Sequence, residues 1–320
     1  MNIGLFLLGF VFLVGGAEFL VRGASRLASR YHVPGVVIGL TIVALGTSLP
    51  ELLVSLIANF QGGGASDIAI GNIVGSNIAN VGLILGTAAV LSAIAVEKTL
   101  VRREFPLMIG ISIMFVLMCW DWDGSGYGEI NRIEGLILFL GIIAFTWYSY
   151  ISSKGREHDD EGDASSDDLS KIPMWQDLGL IAIGVVGLIA GANWLVTSAT
   201  VLAEAIGVPE LVIGLTLVAL GTSLPELATT VVAIRRNEGD IAVGNVVGSN
   251  IYNMLLIGGA NALIKPIPAP QNMQYLDYPV MLGIAILAFI FSITRPNRIL
   301  RWQGGILLAV YVGYSLWLFM

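Results

Sequence analysis

Ten apolar runs, separated by short polar breaks, follow one another along this chain, and such a sequence can bury its surface only in a membrane. They lie near 3–21, 36–59, 68–95, 105–120, 135–151, 178–202, 211–233, 241–264, 280–293 and 303–319, the ninth being the shortest. About 20 apolar residues cross a bilayer as a helix, so ten crossings use nearly all 320 residues. Charged residues make up 12% of the chain, about half the share in a soluble domain. That excludes disorder, a nucleic-acid binder and an ordinary cytosolic enzyme. The start, Met1-Asn2-Ile3, lacks a basic lead, so the first run reads as a span rather than a secretory signal. The one cysteine, Cys119, allows no intrachain disulfide and no thiolate metal cluster.

The basic residues set the orientation. Of 16 Lys and Arg, 14 follow odd-numbered spans: Arg22, Arg26, Arg30, Lys98, Arg102, Arg103, Lys154, Arg156, Lys171, Arg235, Arg236, Arg295, Arg298 and Arg301. Only Arg132 and Lys265 fall on the other side. Positive residues stay in the cytoplasm, so both termini are expected outside a cell membrane. The net charge of −7 comes from one stretch, Glu157 to Asp168, which holds seven acids. It reads as a solvated cytoplasmic linker over 152–177 between halves 1–151 and 178–320. It fails the calcium-loop pattern: Ala164 stands where glycine is required.

The halves repeat each other. Pro34 to Glu51 and Pro209 to Glu226 are identical at 15 of 18 positions, and Asp67 to Asn80 and Asp240 to Asn253 at 11 of 14. Each copy holds five expected spans. Five is odd, so the second copy enters the membrane from the opposite side. Such an inverted repeat places a substrate site near the midplane. Packing alone needs only small and apolar residues, yet the near-identical stretches are the polar ones.

Gly46-Thr47-Ser48-Leu49-Pro50-Glu51 falls in the middle of span 2, and Gly221-Thr222-Ser223-Leu224-Pro225-Glu226 in the middle of span 7. Pro50 has no amide hydrogen, so the Gly46 carbonyl loses its helical partner and the helix bends. In hydrocarbon an orphaned carbonyl costs several kcal/mol unless something satisfies it, and a cation can. Glu51 shares a helix face with Thr47 and Ser48. A carboxylate at mid-membrane costs about 3 kcal/mol or more. Two of them, Glu51 and Glu226, with hydroxyls and freed carbonyls, form an all-oxygen donor set suited to Ca²⁺. No His or Cys stands nearby for Zn²⁺ or Cu⁺.

Spans 3 and 8 add Gly75-Ser76-Asn77-Ile78-Ala79-Asn80 and Gly248-Ser249-Asn250-Ile251-Tyr252-Asn253. Ser76 and Asn80 share a face, as do Ser249 and Asn253. Asn77 and Asn250 read either as ligands or as hydrogen-bonded links between helices. Gly71, Gly75, Gly244 and Gly248 repeat as G-x-x-x-G, which permits close helix contact. Asp67 and Asp240 read as helix N-caps, Glu18 as structural, and His32 and His158 as solvated.

The paired G-T-S-L-P-E and G-S-N-I-x-N motifs resemble the two alpha repeats of the cation/calcium antiporter superfamily, in particular its short prokaryotic Na⁺/Ca²⁺ exchanger branch. The resemblance covers both halves. It implies an all-α polytopic membrane protein of ten transmembrane helices in two inverted five-helix repeats. Helices 2, 3, 7 and 8 would be broken around a central ion site with four adjacent cation positions. Glu51 and Glu226 would be shared ligands. Ala44, Ala219, Thr47 and Thr222 would offer carbonyls, Ser48, Ser223, Ser76 and Ser249 hydroxyls, and Asn80 and Asn253 would line the middle position. Spans 1 and 6 would slide over the other eight. The proton-coupled branch carries G-N-A-x-E instead, from which Thr47-Ser48 and Thr222-Ser223 depart.

The expected function is therefore antiport, Na⁺ inward and Ca²⁺ outward, electrogenic and K⁺-independent, with both ions as substrates. No organic cofactor, nucleic acid or obligatory protein partner is implied; the partner is the lipid bilayer. Proton-coupled exchange of Ca²⁺ or another divalent cation is the alternative. A cation channel fits an inverted repeat with broken helices less well, and an intramembrane enzyme using the carboxylates as an acid/base pair fits the oxygen-rich surroundings less well.

Overall fold

Backbone polar groups in hydrocarbon must pair within their own segment, and here they pair as helices. The structure, a computed structural model, describes residues 2–61, 65–122, 124, 126–154, 173–205, 219–294 and 297–318. The helices are α1 (Asn2–Tyr31), α2 (Gly35–Thr47), α3 (Leu49–Gln61), α4 (Ala65–Ala79), α5 (Gly86–Leu91), α6 (Phe105–Met118) and α7 (Arg132–Lys154), then α8 (Met174–Ala205), α9 (Ala219–Thr222), α10 (Leu224–Arg235), α11 (Gly239–Tyr252), α12 (Gly259–Ile264), α13 (Asp277–Thr294) and α14 (Arg301–Trp317). Short strands β1 (Ile94–Ala95), β2 (Tyr127–Ile130), β3 (Ile267–Pro270) and β4 (Arg298–Ile299) link some of them. Among the described residues six helices are long and apolar enough to cross a membrane, and α2 with α3 makes a seventh if the two count as one span. Residues 155–172 of the linker, His158 among them, and residues 211–218 of span 7 lie outside the described residues.

Several expectations need adjustment. Span 1 does not stop at residue 21: α1 continues through Arg22, Arg26 and Arg30 to Tyr31, because these long side chains reach polar partners from a helix as well as from a loop. Asp240 is not an N-cap; α11 begins at Gly239, which puts Asp240 inside the first turn, where a carboxylate still favours the helix dipole. The side chain of Asp67 lies outside the described residues. Of the G-x-x-x-G glycines, Gly244 packs closely, a Cβ there standing 2.7 Å from the Val36 carbonyl oxygen, whereas nothing among the described residues lies within 4 Å of a Cβ on Gly71 or Gly75.

Contacts divide the chain into two compact units, each built from both halves of the sequence. The first comprises Met1–Thr47 and Thr146–Asn245, the second Ser48–Phe145 and Val246–Met320. In the first unit α1 and α8 pack antiparallel. Glycines let their backbones touch: a Cβ on Gly16 would stand 2.6 Å from the Leu188 nitrogen, one on Gly184 2.5 Å from the Leu20 nitrogen, and one on Gly191 2.4 Å from the Leu13 nitrogen. Leu13, Ala17, Leu20, Leu188, Ala192 and Leu195 form the core beside them. At one end Asp177, fully buried, accepts from Arg30 (Nη2 to Oδ2, 2.8 Å) and forms an ion pair with Arg26 (Nε to Oδ1, 3.3 Å). Glu18 pairs with Arg236, and Ser25 Oγ donates to Glu238 (2.6 Å).

In the second unit β1 pairs antiparallel with β4, and β2 with β3. Gly86 packs on the backbone at Gly304 and Leu308, and Gly259 on the backbone at Gly135 and Phe139. Ile70, Ile73, Ile78, Ile84, Leu85, Phe105, Met108 and Phe115 are fully buried. The order of elements from α4 to α7 recurs from α11 to α14: helix, π-helical segment, helix, strand, a short turn of helix (π-helical at Leu100–Glu104, 3-10 at Gln271–Gln274), helix, strand, helix.

Candidate cation site

The proline motif does locally what its chemistry requires. The helical run of span 2 breaks at Ser48, between α2 and α3, and that of span 7 at Ser223, between α9 and α10. Pro50 and Pro225 occupy the first turn after each break, where a missing amide hydrogen is harmless. The helices resume with Leu52 N donating to the Ser48 carbonyl and Leu227 N to the Ser223 carbonyl, both at 3.1 Å. The glutamate follows within that first turn and is 1% exposed in either copy.

In the first unit Ala44, Thr47, Thr222, Ser223 and Glu226 are all buried; Ala219 opens α9, and its burial lies outside the description. Thr47 Oγ1 donates to Asn245 Oδ1 (3.2 Å), and Asn245 Nδ2 donates to Thr230 Oγ1 (3.2 Å). In the second unit Ser48, Glu51, Ser76, Asn80, Ser249 and Asn253 are buried. There Asn72 Nδ2 donates to Ser55 Oγ (2.9 Å) and to the Glu51 carbonyl (3.2 Å). Asn72 with Ser55 and Asn245 with Thr230 are the same device in the two copies. The sequence reading missed all four, although Asn72 and Asn245 lie inside the repeated stretch and a hydroxyl follows each glutamate at i+4.

A π-helical segment begins at each of the two motif asparagines, Asn80–Leu85 after α4 and Asn253–Gly258 after α11. Such segments inside α-helices fall frequently at functional sites, because they displace carbonyls from the regular ladder. The side chains there are crossed. Asn80 Nδ2 donates to Asn250 Oδ1, and Asn253 Nδ2 donates to Asn77 Oδ1, each at 3.0 Å. Asn77 and Asn250 are thus the links between helices that one reading of the sequence allowed. Asn80 Oδ1, Asn253 Oδ1 and Ser249 Oγ are buried with no hydrogen-bond partner among the described residues. A buried acceptor left so costs about 1–3 kcal/mol, a cost that a bound cation removes. Among the described residues no three His, Cys, Asp or Glu side chains gather. The buried polar groups of the motifs in each unit are hydroxyls, carboxamides and one carboxylate, oxygen chemistry of the kind that hard cations take.

The family described as sodium/calcium exchanger protein matches residues 1–151 and 177–320. The chain belongs to this family. Among the exchanger's relatives, MaX1 of Methanosarcina acetivorans, a sodium/calcium exchanger by name, is 36% identical over 348 residues, spanning 100% of this chain and 99% of its own. The inner membrane protein YrbG of Escherichia coli is 36% identical over 327 residues, 99% of this chain and 95% of its own. The solved structure of the sodium-calcium exchanger NCX_Mj soaked with 10 mM Na⁺ and zero Ca²⁺ superposes with a TM-score of 0.82 at 33% identity, covering 97% of this chain and 96% of that one. A predominantly helical member of this family with several apolar helices is a multi-pass membrane protein, and its family is one of transporters.

Proposed function

We propose that the protein is a secondary antiporter that admits Na⁺ and expels Ca²⁺ by alternating access, electrogenically and without K⁺. Family membership and the names of its full-length relatives support cation/Ca²⁺ exchange. The observation that carries the proposal is the doubled set of buried oxygens: Glu51 and Glu226 at broken helices, and the oxygens of Asn80, Asn253 and Ser249 that have no donor among the described residues. Those residues, with Ser48, Ser76, Thr47, Thr222, Ser223, Ala44 and Ala219, are the proposed ligands. Purified protein should bind Ca²⁺ in equilibrium titration, and Na⁺ should displace it where choline does not. Ca²⁺ binding indifferent to Na⁺ would overturn the shared-ligand reading.

Ten spans in two inverted repeats, 1–151 and 178–320, have two kinds of support. The contacts at helix ends join segments separated by an even number of proposed spans: Arg26 and Arg30 with Asp177, Ser25 with Glu238, Asn59 with Lys265, β1 with β4, and β2 with β3. An even number returns the chain to the side it left. The α1–α8 packing also maps onto itself when the copies are exchanged. Gly9 meets Gly191 and Gly16 meets Gly184, and the repeat offset that carries Glu51 to Glu226 carries Gly9 to Gly184 and Gly16 to Gly191. The basic-residue asymmetry supports termini outside and a cytoplasmic linker over 152–177. A thiol placed in that linker and labelled from outside intact cells would contradict this orientation.

A further inference from the structure

Two methionines outside the repeated motifs stand at the ends of the crossed asparagine pairs. Asn250 Nδ2 donates to Met108 Sδ (3.4 Å), and Asn77 Nδ2 donates to Met281 Sδ (3.9 Å). Met108 lies on α6 and Met281 on α13, helices in equivalent places in the two copies. Both are buried, at 0% and 2% exposure. The result is two relays of the same order within one compact unit: Met108, Asn250, Asn80, and Met281, Asn77, Asn253.

The order has a direction. A carboxamide can present its oxygen or its NH₂ to a neighbour, and the two faces have nearly the same shape. A thioether has no hydrogen to donate and can only accept. Met108 therefore requires the NH₂ of Asn250, which leaves Asn250 Oδ1 for Asn80. That oxygen requires the NH₂ of Asn80, which turns Asn80 Oδ1 away from Asn250 and leaves it with no donor among the described residues. Met281 acts in the same way through Asn77 on Asn253 Oδ1. Reversing either relay would present an NH₂ where a cation needs an oxygen.

We propose that Met108 and Met281 are positioning residues that fix the sense of the Asn250–Asn80 and Asn77–Asn253 relays, so that carboxamide oxygens rather than NH₂ groups are offered to the transported cation. This rests on the assignment of Asn80 and Asn253 as ligands.

The test is Ca²⁺ flux against Ca²⁺ concentration in proteoliposomes. Met108→Leu keeps the bulk and removes the acceptor. It should raise the Ca²⁺ KM about threefold to tenfold, the range of one hydrogen bond, with a smaller change in maximal rate. Met281→Leu should act in the same direction but less, its contact being longer. Met114→Leu, a half-buried methionine on the same helix as Met108, should leave KM unchanged. In an Asn250→Asp background both side-chain oxygens accept, so Asn80 keeps its sense without the sulfur while the sulfur faces a second acceptor, and Met108→Leu should no longer raise KM. An effect of equal size in that background means packing alone and overturns the proposal. Wild-type KM in both leucine variants, with KM raised by Asn80→Ala, overturns the relay and leaves the ligand assignment standing. Wild-type KM in Asn80→Ala removes both.

Discussion

Glu51→Gln and Glu226→Gln should each abolish Na⁺-driven Ca²⁺ uptake by reconstituted vesicles, a fall of at least ~100-fold, while Glu18→Gln retains most of it. Both glutamates are buried at 1% exposure, and a carboxylate held there costs about 3 kcal/mol or more unless a cation offsets it. Conversely, a cation that loses one of two carboxylates loses binding energy of that order, and each 1.4 kcal/mol is a factor of ten in affinity. Glutamine keeps the shape and one oxygen but carries no charge. Glu18 differs in place and partner. Its side chain is 45% exposed and pairs with Arg236, and its counterpart in the second copy is Asn193, so no pair of acids exists there. An exposed ion pair contributes about 1 kcal/mol at most. Robust Ca²⁺ transport by either buried-glutamate variant would remove the site assignment.

Membrane voltage should shift the flux by a large factor. Glu51 and Glu226 are two negative charges among the proposed ligands, since Asn80 and Asn253 are neutral. Two charges balance one Ca²⁺ but not several Na⁺. Exchange of three or more Na⁺ for one Ca²⁺ moves net positive charge with Na⁺. One elementary charge across 100 mV is worth about 2.3 kcal/mol, which changes the equilibrium Ca²⁺ gradient ~50-fold. Vesicles loaded with Na⁺ should take up Ca²⁺ faster when the inside is made positive and slower when it is made negative. The sign follows because positive charge leaves with Na⁺. Asn80 and Asn253 add no third negative charge to the two glutamates, so the proposed exchange needs no K⁺, and replacing all K⁺ with choline should leave the flux intact. Flux indifferent to a diffusion potential set by a permeant anion would refute electrogenicity, and a strict K⁺ requirement would refute the second claim.

The breaks at Ser48 and Ser223 were legible because proline chemistry is local: a missing amide hydrogen acts on a carbonyl four residues away. Asn80 and Asn253 were legible because they recur in both copies. The relay partners were not. Met108 and Met281 stand in apolar runs without a motif, and only the fold brings their sulfurs to Asn250 and Asn77. The glycine reading held in part. A Cβ on Gly244 would stand 2.7 Å from the Val36 carbonyl oxygen, while Gly71 and Gly75 meet nothing among the described residues, and Gly9, Gly16, Gly184 and Gly191, seven residues apart on their helices, make a close approach that no motif marked. Spacing shows which residues share a face, not what that face meets. The end of α1 was misjudged because arginines were read as loop, although Arg26 and Arg30 stay helical and reach Asp177.

The most direct measurement is Ca²⁺ uptake into proteoliposomes of the purified protein, driven in parallel by an outward Na⁺ gradient and by an outward proton gradient without Na⁺. Uptake with Na⁺, abolished when the Na⁺ gradient is collapsed and unaffected by collapse of the pH gradient, is the predicted result. Uptake driven by protons in the absence of Na⁺, or Ca²⁺ entry that needs no counter-ion gradient, would contradict Na⁺/Ca²⁺ antiport.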